Sequence, residues 1–343
     1  MNRSMRSQSG FSMIELVIAS SLLGLLVMAV STLAVSGGQA QDFTRRLSRA
    51  TEVTQDIVDQ MRLEMVSSVR VFGNDVEGNA NLGILDMSGA PKGLSAYRLP
   101  VVSPNNTVAR DTVGTQITGN SLFFTRLAWT DRFVCSSSRE YMVDVYRWIF
   151  YYLTSVDGGP EAGSPLGLNL VRVVSEPLVD AAGVDGIDDP NDQQEVLLHL
   201  LEGTADANGE THAKAQLVWL RGGLPSDVGT IRQIGSLNGK LSDDPIEGRE
   251  DPWLIHRATP VVDELLSYRH HSVASIYSLP AYGVGRYAVV DQSEDGFPHG
   301  FEVQVVGPSS ARQVMLHLVV VSTQRQGQVA WADVQVSVDA RDL

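Results

Sequence analysis

One cysteine, Cys135, stands in 343 residues. That scarcity excludes an intrachain disulfide and any metal site built on clustered thiolates. Positive charge is also in short supply: 26 Lys and Arg face 40 Asp and Glu, a formal charge of −14. Such a chain lacks the cation surplus that phosphate neutralisation requires, so no direct nucleic-acid partner is expected. Catalytic signatures are absent as well. There is no Gly-x-Ser-x-Gly elbow, and Gly283-Val284-Gly285 lacks the rest of a phosphate-loop fingerprint. Cys135 has no histidine near it in sequence. The histidines (His199, His212, His256, His270, His271, His299 and His317) show no helical metal spacing. His270 and His271 are adjacent and would point to opposite faces of a strand. The sequence therefore predicts no enzyme, no resident cofactor and no histidine metal centre.

Glycine (31), proline (14) and the 43% apolar content are ordinary for a globular chain, with room for one large domain or two modest ones. Long hydrophobic runs, however, occur in one place only. Residues 16–35 are uncharged, and the next charge is Asp42. As a helix the run would reach about 30 Å, the thickness of a bilayer core. Ahead of it lies a polar leader with Arg3 and Arg6, and Glu15 sits at its entrance. A carboxylate at the edge of a membrane helix is costly and tends to be functional. A secretory signal has a shorter apolar core followed by a small-residue cleavage site. A cut after Ala40 and a plain signal anchor are the alternatives; the apolar core is too long for the first, and the second leaves the Gly10-Phe11 pair and Glu15 unexplained.

Beyond the apolar run, Phe43, Leu47, Ala50, Val53, Ile57, Met61, Met65 and Val69 recur at three- and four-residue steps. This predicts an amphipathic helix over 39–72, continuous with the apolar one, of about 55–60 residues in all. Arg45, Arg46 and Arg49 run against the positive-inside rule, so orientation rests on the leader. Residues 73–120 are punctuated by Gly, Asn, Ser and Pro, with a strand plausible over 93–102. Strand-like runs follow over 121–129, 140–154, 166–177, 195–202, 213–220, 286–291, 300–306, 313–322 and 329–338. Residues 260–268 suit a strand or a helical turn. Phe301, Val303 and Val305 alternate with Glu302 and Gln304, the pattern of a half-buried strand. The expected class is α+β: a long N-terminal helix on an antiparallel sheet with irregular insertions.

Residues 180–195 carry Asp180, Asp185, Asp188, Asp189, Asp192 and Glu195 and no basic residue. Oxygen-rich, glycine-punctuated loops suit calcium, and Asp185, Asp188, Asp189 and Asp192 would be its ligands. EF-hand spacing is absent, and a solvated acidic loop is the plainer reading. The same holds for the acidic stretch 243–251. Asp206-Ala-Asn-Gly209 reads as a hairpin turn.

The run Gly10-Phe11-Ser12-Met13-Ile14-Glu15-Leu16 resembles the leader junction of type IV prepilins and pseudopilins. The resemblance implies cleavage by prepilin peptidase between Gly10 and Phe11, and N-methylation of the new Phe11 terminus. It implies that Glu15 pairs with the N-terminal amine of a neighbouring subunit and sets its axial register. Residues 1–10 would be the leader, 11–38 a transmembrane and filament-core helix, 39–72 its amphipathic continuation and 73–343 an antiparallel β-rich domain. Loss of Arg3 and Arg6 reduces 26 basic residues to 24 against 40 acidic ones, a charge of −16. Where many major pilins have a helix-bending proline, this chain has Thr32, with Gly24, Gly37 and Gly38 as other points of bending.

The strings VYRWIFYYL, LGLNLVRVV and GFEVQVVGPSSARQVMLHLVVVS are similar to strands of PilW-like minor pilins and J-type minor pseudopilins. Glu15 counts against the K-type tip subunit, which lacks that residue. The resemblance implies a structural minor pilin that helps initiate or cap a type IV pilus. A J-type pseudopilin of type II secretion and an adhesin-like pilin are the alternatives. Implied partners are other minor and major pilins or pseudopilins, prepilin peptidase, the inner-membrane assembly platform and inner-membrane lipid. The implied location is the inner membrane, with the C-terminal domain in the periplasm, and later the pilus or pseudopilus.

Overall fold

The structure, a computed structural model, describes residues 12–86, 98–108, 117–155, 168–175, 177–180, 183–184, 186–202, 216–218, 239–242, 270–275, 299–323 and 329–341. The chain divides into two compact units, Met1–Ser48 and Arg49–Leu343. Helix α1 (Met13–Val66) is unbroken through Gly24, Gly37 and Gly38, so none of the three glycines interrupts it. Within the first unit the helix satisfies its own polar side chains. Ser20 and Ser21 donate to the carbonyl of Val17, and Thr32 to that of Met28. This is how hydroxyls are accommodated in an apolar helix.

The second unit begins with the last turns of α1. The helix ends at Val66, short of the expected Phe72, and the chain turns directly into β1 (Ser68–Phe72). The β-branched Val69 and Val71 suit the strand better than a helix. After β1 come α2 (Val76–Ile84), β2 (Leu85–Asp86), β3 (Val102–Ser103), β4 (Leu122–Val134), β5 (Glu140–Ser155), β6 (Leu168–Ser175) and β7 (Leu178–Asp180). They are followed by α3 (Pro190–Glu202), β8 (Gln216–Val218), β9 (Gly239–Ser242), β10 (His270–Val273), β11 (Phe301–Val306), β12 (Arg312–Thr323) and β13 (Val329–Ala340). The residue stretches expected as strands over 260–268 and 286–291, the acidic stretch 243–251 and the hairpin turn at 206–209 lie outside the described residues.

The sheet is antiparallel along its main path from β1 to β11, and the short β3 adds to β11 in parallel. β4 is bordered by β1 on one edge and by β5 on the other. The far edge of β5 pairs with β6 and β7, and β6 pairs with β10. β12 pairs with β13 along its whole length. Its other edge is shared end to end: β11 takes residues 313–318 and β10 takes 320–323. The two meet at Val319, whose N–H donates to Gly300 and whose carbonyl accepts from Ala274. Gly307 makes the turn out of β11 at φ +95°, where a Cβ would lie 2.4 Å from the carbonyl of Ala311; only glycine is at ease there. The end strands also meet, for Ser68 Oγ donates to the carbonyl of Arg341 at 3.1 Å.

Both faces of the central strands are buried, and the residues alternate between two cores. Ile149, Tyr151 and Leu153 of β5 join Ile57, Val58, Met61 and Met65 of α1 on one face. Trp148, Phe150 and Tyr152 join Val196 and Leu200 of α3 on the other. Leu122 and Phe124 take the first face and Phe123 the second. Period-two geometry sends neighbours to opposite sides, and here each side is apolar. The expectation of half-buried strands is therefore corrected: Glu302 and Gln304 of β11 are each about as buried as Phe301 and Val303.

A second correction concerns 195–202, which reads as a strand and is part of α3. A short apolar run has no decisive period; the start signal ahead of it decides. Pro190 occupies the first helical position, Asp189 accepts the N–H of Asn191 at 3.0 Å, and its carbonyl accepts from Gln193. Val196 and Leu200, four residues apart, then share one buried face.

Candidate functional site: the N-terminal helix and its junction

Of the sequence-predicted site residues, Gly10 and Phe11 lie outside the described residues, and Glu15 lies in the first turn of α1. Its carboxylate accepts the Ser12 N–H at 2.9 Å and the Ser12 hydroxyl at 3.1 Å. In return the Glu15 N–H donates to Ser12 Oγ at 3.3 Å. Two otherwise unpaired donors at the helix start are thus satisfied reciprocally, which is a capping box. The Ser-x-x-Glu spacing is visible in the sequence, but the capping role of Glu15 is not among the readings drawn from it, which are a charge at the membrane edge and a register partner. Glu15 stays exposed, as do the large apolar side chains from Met13 to Val35; Met13 is 89% exposed and Ile18 54%. None of the most apolar stretch is buried. Inside a water-soluble domain this surface would be unstable; in lipid or among like helices it is matched.

The last turns of α1 hold a buried carboxylate that sequence reading passed over. Glu64 is 1% exposed. The Tyr151 hydroxyl donates to its Oε2, Arg172 donates through Nε at 3.0 Å and also through its terminal nitrogen, and Gln60 donates at 3.1 Å. Arg126 stands 3.6 Å away. Burial first, and then the charge on Glu64, pushes the Tyr151 hydroxyl well above its usual range, so it stays a donor. Burial disfavours the Arg172 cation, but Glu64 and Tyr151 outweigh it and raise its proton affinity. The hint was present: Ile57, Met61, Glu64 and Met65 share one helical face, and only one of them is charged. This cluster joins α1 to β4, β5 and β6.

Three acidic residues of 180–195, Asp189, Asp192 and Glu195, serve a second junction. The tip of the β4–β5 hairpin meets the first turn of α3. Arg139 pairs with Asp189 at 3.0 Å and Asp192 at 3.2 Å, and the Tyr141 hydroxyl donates to Asp192 at 2.8 Å. The Ser136 N–H donates to Glu195 at 2.7 Å, and its hydroxyl donates there too. A hydrogen bond from Ser137, then those from Tyr141 and Arg139, hold the Asp192 carboxyl below its ordinary range. Cys135 sits beneath, and burial followed by the nearby charge of Asp192 pushes its thiol up, away from reactivity. Of the four residues considered for calcium, Asp189 and Asp192 are engaged with Arg139, Asp188 is exposed, and Asp185 lies outside the described residues. Among the described residues no three acidic, histidine or cysteine side chains converge on a metal position. The acidic first turn also complements the helix dipole.

Against protein families, residues 5–31 match the prokaryotic N-terminal methylation motif. The long apolar helix, an antiparallel sheet and this motif together support a type IV pilin-like protein, and the motif's family is structural. The motif implies processing by prepilin peptidase and assembly with other pilins, and with the apolar helix it supports membrane anchoring. No curated protein and no solved structure matches the chain.

Proposed function

We propose that the chain is a minor pilin, a PilW-like structural subunit that helps initiate or cap assembly of a type IV pilus. The observation that supports this reading is the methylation-motif match over residues 5–31, which runs into an exposed apolar helix. Prepilin peptidase cuts between Gly10 and Phe11, and the new Phe11 terminus is methylated. Residues 11–38 then remain in the inner membrane, with the unit Arg49–Leu343 on the periplasmic side, until the subunit passes into the filament. Its bulk favours a minor position, since a domain of this size fits poorly at every site of a tightly packed helical filament.

Cleavage after Gly10 leaves Ser12 as the second residue, so the capping box survives processing. Glu15 is then held at the helix start, in the fifth position of the processed chain. In the apolar filament core an unpaired carboxylate is strongly penalised. Pairing with the amine of a neighbouring subunit relieves that penalty at a single axial offset, which is a register mechanism.

Mass spectrometry of the N-terminal peptide from the membrane fraction is the direct test. The expected product begins with methylated Phe11; a start at Gln41 or an intact Met1 overturns the reading. In a Glu15→Ala chain, cleavage is expected to proceed while entry into filaments fails, scored by the subunit content of sheared pili. Normal incorporation would remove the register role. A deletion strain that keeps its pili and loses secretion of folded exoproteins would favour a J-type pseudopilin instead.

A further inference from the structure

The last three strands carry a buried ionisable cluster with no part in the junctions above. We propose that Glu302, His317 and Asp333 form a proton-operated latch, in which imidazolium at His317 ties β11 and β13 to β12 and rising pH releases it.

His317 lies on β12 and is 1% exposed. Its Nδ1 faces Glu302 Oε2 on β11, its direct cross-strand partner. Its Nε2 faces Asp333 Oδ1 on β13 at 2.7 Å. A carboxylate oxygen only accepts, so two ionised carboxylates on the two ring nitrogens require both nitrogens to donate. Only the imidazolium does this. Neutral histidine has one bare nitrogen, and that lone pair would face a carboxylate across a buried contact. The two acids flank opposite sides of the ring, so no single metal ion reaches both along with a ring nitrogen. The cluster is therefore a proton site.

Among the described residues, Glu302 and Asp333 are the charged groups facing the ring from the two flanking strands. Burial disfavours the cation, but the hydrogen bond and charge of Glu302, followed by Asp333, outweigh it and raise the His317 pKa. The neighbouring Gln304 is neutral and held by Thr118, its Nε2 donating to Oγ1 at 2.7 Å. The latch bears on β13, whose end meets β1 through Ser68 and Arg341. Loosening β13 therefore loosens the closure beside the strand that follows α1.

The sign follows from the raised pKa. In the unfolded chain histidine titrates near its ordinary value of about 6.5. Stabilisation by the latch is complete below that value and is lost as pH rises through the higher folded-state value. The test uses the full chain in detergent micelles with 15N-labelled histidine, titrated from about pH 6 to about pH 9. His317, assigned by its absence in His317→Gln, is expected to show both ring nitrogens protonated at neutral pH and to titrate above the free value. Glu302→Gln is expected to shift that titration downward. The urea midpoint of the native chain should fall as pH rises through the same window, and the fall should be missing in His317→Gln. A neutral, single-tautomer His317 at about pH 6.5, a titration unmoved by Glu302→Gln, or the same pH slope in both chains overturns the latch. If His317→Gln does not fold, the titrations of the native chain and Glu302→Gln decide the matter.

Discussion

A Glu64→Ala chain is expected to lose about 3–5 kcal/mol of stability in the unit that follows Ser48, read as a lower urea midpoint by tryptophan fluorescence. The magnitude follows from what stays behind. The Arg172 side chain is 10% exposed and directs two of its nitrogens at Glu64. Tyr151 is fully buried with its hydroxyl on the same carboxylate. Alanine leaves a desolvated guanidinium and a buried hydroxyl without their acceptor, and removing one partner of a buried pair costs far more than the pair is worth. The physical claim is tested most sharply by changing both partners. A Glu64→Met, Arg172→Met chain is expected to recover much of the loss, because two apolar side chains of similar volume carry no desolvation debt. A single-variant loss below about 1 kcal/mol would show that the site is wet and that the cluster does not pin the helix.

The second large effect is expected at Phe123. It stacks on Phe72 at 4.5 Å and meets Trp148 and Phe150 edge-on at 5.8 and 5.9 Å. Phe123→Ala is expected to cost about 3–5 kcal/mol, the transfer free energy of the ring plus the cavity left among β1, β4 and β5. Three aromatic contacts, each worth about 0.5–1.5 kcal/mol, move the value toward the upper end. Leu63→Ala is the control: Leu63 is 70% exposed on α1, and its truncation should stay within about 0.5 kcal/mol. Equal losses in the two chains would mean that the second core, on the face away from α1, contributes little to folding.

These two sites differ in how far the sequence announced them. Phe123 falls in the run 121–129, which reads as a strand from its β-branched and aromatic residues alone. That its ring is fully buried does not follow from this, because alternation tells sides apart without saying which side meets water. In β5 the side chains of Trp148, Phe150 and Tyr152 have α3 behind them, and the part of α3 over 195–202 reads as a strand from the sequence. The run Val196–Leu200 is too short for its period to be decisive, and the helix is set by Asp189 and Pro190 together with the docking of Arg139, fifty residues earlier in the chain. Glu64 was legible as a charge on an apolar stripe. Its partners Tyr151 and Arg172 were not, since they arrive from strands far along the chain.

The N-terminal segment is the opposite case. Its pattern is local, so the sequence by itself determined it: two arginines ahead of a Gly-Phe pair, a glutamate at the helix start and an apolar run long enough for a bilayer. Helix periodicity and backbone hydrogen bonding act within a few residues, and no distant contact was needed to place them. The tertiary structure alone decided where α1 gives way to β1, which faces of the sheet are dry, and which charges are buried. The Glu64 cluster, the Arg139 junction and the His317 latch each join residues separated by between 15 and 108 positions. The free energy of a buried charge depends on what surrounds it in space, and only the folded chain supplies those surroundings.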